Sequence, residues 1–137
     1  MRERLPVLLA ALWWGSLSAI GFIVVPMLFV HMPTPAMAGN MAARLFEAQT
    51  HVSVVCGVLL LLLSTRKETA HQEDWARATM AYVIGGLLLS LLVQYGVAPR
   101  IVARANLKIW HSVGTVMYAL QWGCALLILW RTSITKK

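Results

Sequence analysis

Over four long stretches this 137-residue sequence carries no charge at all: Leu5–Val30, Ala48–Thr65, Ala78–Pro99 and Ile109–Trp130 contain no Asp, Glu, Lys or Arg. That absence argues against a soluble fold, in which charged residues make up about a quarter of the chain; here they are 12%, against 59% hydrophobic. It also argues against a proton- or sodium-driven pump, which needs ionisable groups inside the bilayer to relay its ion. The sequence has no CxxCH, CxxC, HExxH or phosphate-binding glycine loop, so the chemistries those motifs carry have no local signature. Its only two cysteines, Cys56 and Cys124, fall in different stretches at different depths, and a disulfide is not expected.

What is present is apolar length. About 20 residues rising about 1.5 Å each cross a hydrocarbon core of about 30 Å. Lipid offers the backbone no hydrogen-bond partner, so such segments must be helical. The expected fold is all-α: one polytopic membrane domain, 1–137, a bundle of four transmembrane helices at about 5–30, 46–65, 77–99 and 108–131. Arg2 and Arg4 before the first span, and Ala36-Met37-Ala38 after it, resemble a secretory signal. The apolar run is well beyond the usual 7–15 residues, so the span is expected to be retained.

The formal charge of +7 sits in short loops and tails, where it sets orientation and meets lipid headgroups; it does not call for nucleic acid. Arg2, Arg4, Arg66, Lys67, Arg77, Arg131, Lys136 and Lys137 fall on one side, and Arg44, Arg100, Arg104 and Lys108 on the other. Eight basic residues against four place both termini in the cytoplasm. Trp75 and Trp130 then belong to the inner aromatic belt, Tyr95 and Trp110 to the outer one.

Met32-Pro33-Thr34-Pro35 breaks the first helix near His31, with Thr34 as N-cap and Pro35 at the first position of the next. Residues 36–49 form an amphipathic helical extension, with Met37, Met41 and Leu45 on one face, running into the second span. Two corners are alike: Val25-Pro26 precedes His51-Val52-Ser53, and Ala98-Pro99 precedes His111-Ser112-Val113. This suggests a parallel duplication of helical hairpins. Small residues mark contact faces in lipid: Ala11, Gly15 and Ala19; Ala81, Gly85, Gly86 and Ser90; Thr115, Ala119 and Gly123. Such seams could also join copies of the chain in a homo-oligomer.

Polar residues within the spans are the candidates for function, because each costs free energy unless paired. Counted from the expected outer ends of their spans, His51 and His111 lie at matched depth, roughly 5–10 Å inside the outer leaflet. Paired imidazoles could hold a metal or sandwich haem b; the alternative is that each bonds a carbonyl or a water. Thr115, Tyr118 and Gln121 or Trp122 descend from His111. Ser53, Gln94 and Tyr95 could complete an outer-half ligand pocket, with Glu47 at its mouth orienting a histidine or pairing with Arg44. Met27, Met32, Met37 and Met41 gather nearby; thioethers suit soft metal ions, although methionine is also a common packing residue.

Trp14-Gly15, Pro26 before Phe29, Gly39, Leu45-Phe46, His51-Val52-Ser53, Ala98-Pro99-Arg100 and His111 fall in an order that resembles the transmembrane protein 205-like proteins. The resemblance runs from about Trp13 to Gly123, and its bacterial members form a domain-of-unknown-function family. More distantly, the chain is similar to the copper-resistance type D and J-type protoporphyrinogen oxidase membrane proteins. The resemblance implies a multi-pass protein of the bacterial inner membrane, and export or sequestration of a soft metal. The oxidase side implies haem at paired histidines together with a lysine, and no lysine lies within these spans. Three readings therefore stand: a non-enzymatic protein that binds or moves a small ligand such as a soft metal ion, a haem-binding redox protein or porphyrin oxidase, and a structural subunit.

Overall fold

The computed structural model describes residues 4–64 and 70–134, except the side chains of 70–75. Four helical spans, Leu5–His31, Pro35–Ser64, Ala76–Val102 and Leu107–Ile134, are long and apolar enough to cross a membrane, and the described residues contain no strand. The architecture is that of an all-α, multi-pass membrane protein. The expected loop residues Arg66 and Lys67, the Trp75 side chain, and Arg2, Lys136 and Lys137 of the tails lie outside the described residues.

The proline signals act as chemistry requires. The first span ends at His31, and Thr34 Oγ1 accepts from the Met37 N–H at 3.3 Å, satisfying an amide left open by the first turn. From Pro35 one helix of 30 residues runs unbroken to Ser64, joining the extension to the second span. Ala38 and Ala42 are its buried residues here, while Met37 and Met41 are exposed. The extension packs through alanine and turns its methionines outward. The third span ends at Val102 and turns at 103–106. Arg104 and Asn106 take φ of 54° and 47° there, a region Asn tolerates better than most residues.

Prolines inside the spans are accommodated by π-turns. Ile20–Val24 precedes Pro26 and Val93–Val97 precedes Pro99. In each, the amide before the proline reaches back five residues, Val25 to the Ile20 carbonyl and Ala98 to the Val93 carbonyl. The widened turn relieves the clash between a proline ring and the carbonyl four residues back. Ile20 thus corresponds to Val93 and Pro26 to Pro99 in a single register, so the first and third spans are built alike.

Each span packs on its neighbours in sequence, and the first also packs on the fourth, closing a ring. Two contacts cross its centre. On one diagonal, a Cβ added at Gly86 would stand 3.0 Å from the tip of the Trp13 ring, so the ring reaches across to the third span where no side chain stands in its way. Trp13 and Gly86 occupy equivalent positions in the register set by the two prolines: one repeat fills the axis and the other makes room. On the second diagonal, Gln121 Nε2 donates to Ser53 Oγ at 3.1 Å.

Around Trp13 a dry core of Ala10, Leu17, Cys56, Leu60, Val83, Ala125 and Ile128 fills the end of the bundle nearer the termini. Cys56 and Cys124 are free thiols. Gly86 and Ser90 are buried, as a packing seam should be. The other seam positions are not internal: Ala11, Ala19, Ala81, Thr115 and Ala119 are exposed, and nothing lies within 4 Å of a Cβ placed at Gly15, Gly85 or Gly123. Buried Ala10, Trp13 and Leu17 form the inner face of the first helix instead.

Candidate functional site

A layer of polar side chains crosses the middle of the bundle just beyond that core. Gln49 Nε2 donates to Ser16 Oγ at 3.0 Å and Ser53 Oγ donates to the Gln49 carbonyl at 2.9 Å. Trp122 Nε1 donates to Ser18 Oγ at 2.8 Å, and the Tyr118 hydroxyl to the Leu17 carbonyl at 2.7 Å. With Gln121 bonded to Ser53, these bonds tie the second helix to the first and fourth, and the fourth to the first. Such bonds stabilise helix association by about 0.6–1.7 kcal/mol each. Gln49 Oε1 and Ser90 Oγ are buried here without a partner. Ser16, Ser18 and Gln49 are not singled out by the sequence pattern; their signal was the presence of polar groups inside apolar spans.

The same bonds fix how the helices align. Ser53 and Gln121 are level, and the second and fourth helices run the same way. His51 stands two residues from Ser53, and His111 ten residues from Gln121, both toward the end that carries the helical hairpin turns. At about 1.5 Å per residue, the two histidines are offset by about 12 Å along the bundle. Both are exposed. The alignment does not bring the two imidazoles to one height, and among the described residues no group of three or more His, Cys, Asp or Glu could hold a metal ion. The polar stripe below His111 divides likewise. Thr115 is exposed and its hydroxyl donates to the His111 carbonyl at 2.8 Å, whereas Tyr118, Gln121 and Trp122 turn inward as ties.

Four of the expected residues do meet. Glu47 and His51 from the second span, with Gln94 and Tyr95 from the third, line one groove of about 350 Å³ together with Thr50, Val54, Val55 and Leu91. Gln94 and Tyr95 lie in the second π-turn, whose extra residue re-aims side chains along the helix. The hydroxyl of Thr50 donates to the Phe46 carbonyl at 3.0 Å. Among the described residues Glu47 makes no ion pair, so its expected pairing with Arg44 is not formed. Ser53 and Tyr118 lie elsewhere, in the polar layer.

The depth of the groove follows from its rim. Gly57 packs on Leu87: a Cβ there would stand 2.6–2.9 Å from the leucine side chain. Thirteen residues toward the hairpin end on each helix stand Arg44 and Arg100, which are therefore level. The Arg100 guanidinium lies 4.5 Å from the centre of the Trp110 ring, a favourable cation–π contact. Below this charged rim Glu47 lies about 4–5 Å, His51 about 10 Å and Val55 about 16 Å down. The groove is polar near the rim and apolar beneath.

A second, shallower groove at the hairpin end is lined by Val24, Met27, Leu28, His31 and Met32. His31 Nδ1 lies 3.0 Å from the Met27 carbonyl. A carbonyl only accepts, so Nδ1 donates this bond, and in the neutral ring Nε2 then holds the lone pair. The sequence pattern does not single out His31; Met37 and Met41 do not line this groove.

No curated protein and no solved structure matches the chain. A family profile does, over residues 8–109. The match takes in both grooves and stops short of His111. By that match the chain, an integral membrane protein, belongs to the family described as Domain of unknown function (DUF4149).

Proposed function

We propose that this protein binds or moves a small ligand, without chemical turnover, at the groove between its second and third spans. The observation that carries the reading is the convergence of Glu47, His51, Gln94 and Tyr95 on one open groove of about 350 Å³. Ligand sites of this size pair apolar walls with a few converging polar groups. The distribution of basic residues supports an orientation with both termini cytoplasmic and the groove in the outer half of a bacterial inner membrane. The outward Ala11, Gly15 and Ala19 support a homo-oligomer formed through that seam. The test is native mass spectrometry of protein extracted gently from membranes. A bound small molecule should accompany the wild-type chain and be lost from Val55→Trp, which fills the groove from an exposed position. An identical spectrum for the two proteins would remove the groove from the function.

A soft metal ion is the second reading, and one observation favours it. His31 lines one groove with Met27 and Met32, and its Nδ1 is taken up by the Met27 carbonyl; this is a nitrogen and thioether set suited to Cu(I) or Ag(I). Met27→Leu and Met32→Leu should then weaken Ag(I) binding while Met37→Leu and Met41→Leu do not. Equal loss from all four would argue for non-specific thioether binding. No observation favours a haem held between His51 and His111: both side chains are exposed, and His51 lines one of the two grooves while His111 lines neither.

A further inference from the structure

The repeat within the chain says what kind of molecule the groove takes. In the register that matches Pro26 to Pro99, Ser18, Gly21 and Phe22 of the first span correspond to Leu91, Gln94 and Tyr95 of the third. The first set faces the fourth span, and the second set faces the second span. Between the first and fourth spans the space is filled by the protein's own aromatic rings. Tyr118 lies against Gly21, where a Cβ would be 2.5 Å from its ring, and its hydroxyl reaches the Leu17 carbonyl. Trp122 packs on Trp14 and Phe22 at centroid distances of 5.9 and 5.8 Å and donates to Ser18. Between the second and third spans the opposing helix supplies no such ring, its lining residues being Glu47, Thr50, His51, Val54 and Val55. The corresponding space is the groove of Glu47, His51, Gln94 and Tyr95.

We infer that the groove binds a neutral, planar ring carrying carbonyl acceptors on a hydrocarbon tail, the chemistry of a membrane quinone, entering sideways from lipid. The inference rests on the proposed ligand role of this groove and names the ligand's class. Tyr118 and Trp122 act as an internal analogue: flat rings, each with a single polar handle satisfied by the neighbouring helix. His51, Gln94 and Tyr95 supply N–H and O–H donors for ring carbonyls. Val54, Val55 and Leu91 continue the groove downward as a bed for a tail. Charge argues against a phospholipid headgroup among these polar residues, because a phosphate beside His51 would stand next to the Glu47 carboxylate and beneath the arginine rim. Burying an ion there costs several kcal/mol more than burying an uncharged carbonyl.

The test is equilibrium binding of decylubiquinone to the full chain in lipid nanodiscs. Dioctanoylglycerol, a carbonyl-bearing amphiphile without a ring, is the comparison. Saturable decylubiquinone binding is expected, weakened at least tenfold in His51→Leu, Gln94→Leu and Val55→Trp and unchanged in His111→Leu. Dioctanoylglycerol should not compete. Absence of saturable binding, equal competition by dioctanoylglycerol, or binding indifferent to all three groove variants would each overturn the inference. If decylubiquinone fails while Val55→Trp still strips a native small molecule, the ring chemistry is wrong and the groove reading survives. If both experiments fail, both readings fall.

Discussion

The two seams between neighbouring helices of this bundle, first against fourth and second against third, share one framework and are finished differently. Each contains a π-turn followed by a proline, at Ile20–Val24 and Val93–Val97. One is closed by Tyr118 and Trp122, with their hydroxyl and indole N–H satisfied. The other is left open, with His51, Gln94 and Tyr95 along its wall. A π-turn alone therefore does not make a site. It widens the helix, and the residues on the opposing span decide whether the space is filled by the protein or left as a groove.

The hardest blow to this contrast is Trp122→Ala. Removing the indole leaves a cavity and takes away the bond that Ser18 Oγ accepts, while Ser18 keeps its own bond to the Trp14 carbonyl; the cost is about 3 kcal/mol, read as a lower unfolding midpoint in detergent. The emptied seam should also give decylubiquinone a second, weaker site; a single site would mean that the two seams are not equivalent frameworks. Gly21→Ala comes next. Its Cβ would stand 2.5 Å from Tyr118 Cε1, so the ring must swing aside, costing about 1–2 kcal/mol. Gly96→Ala, where nothing lies within 4 Å, should show little change in the same assay. Gln121→Leu breaks the tie to Ser53 across the bundle and should cost about 0.6–1.7 kcal/mol. The smallest effect belongs to the open seam, where His51→Leu should keep the unfolding free energy within about 0.5 kcal/mol of wild type while losing ligand. A large stability loss there would make His51 a structural residue.

Much of the fold is local, and so it was legible. Absence of charge marked the four spans, the Met32–Pro35 run marked a break, and Thr34 followed by Pro35 marked the restart. Alignment between helices was not legible, because it depends on contacts between distant residues. His51 and His111 looked level when counted from the expected outer ends of the second and fourth spans, near 46 and 108. Those boundaries are set by Glu47 and Lys108, and the Ser53–Gln121 bond puts Lys108 about two helical turns nearer the hairpin end than Glu47. The apolar window of a helix records where its charges fall, not where its neighbours stand. Likewise the Ala11, Gly15 and Ala19 spacing revealed a smooth surface without saying which way it faced. The grouping of Glu47, Gln94 and Tyr95 was legible because each is a polar residue close to the same end of adjacent spans.

The unbroken 30-residue second helix also couples the groove to its host membrane. At about 1.5 Å per residue it measures about 45 Å, half as long again as an average hydrocarbon layer. It must lean, or stand proud of the lipid. In a thinner bilayer the Glu47 shelf would rise into water, and in a thicker one it would sink among acyl chains. The thickness of the surrounding lipid thereby sets how deep the groove lies, with no moving part in the protein.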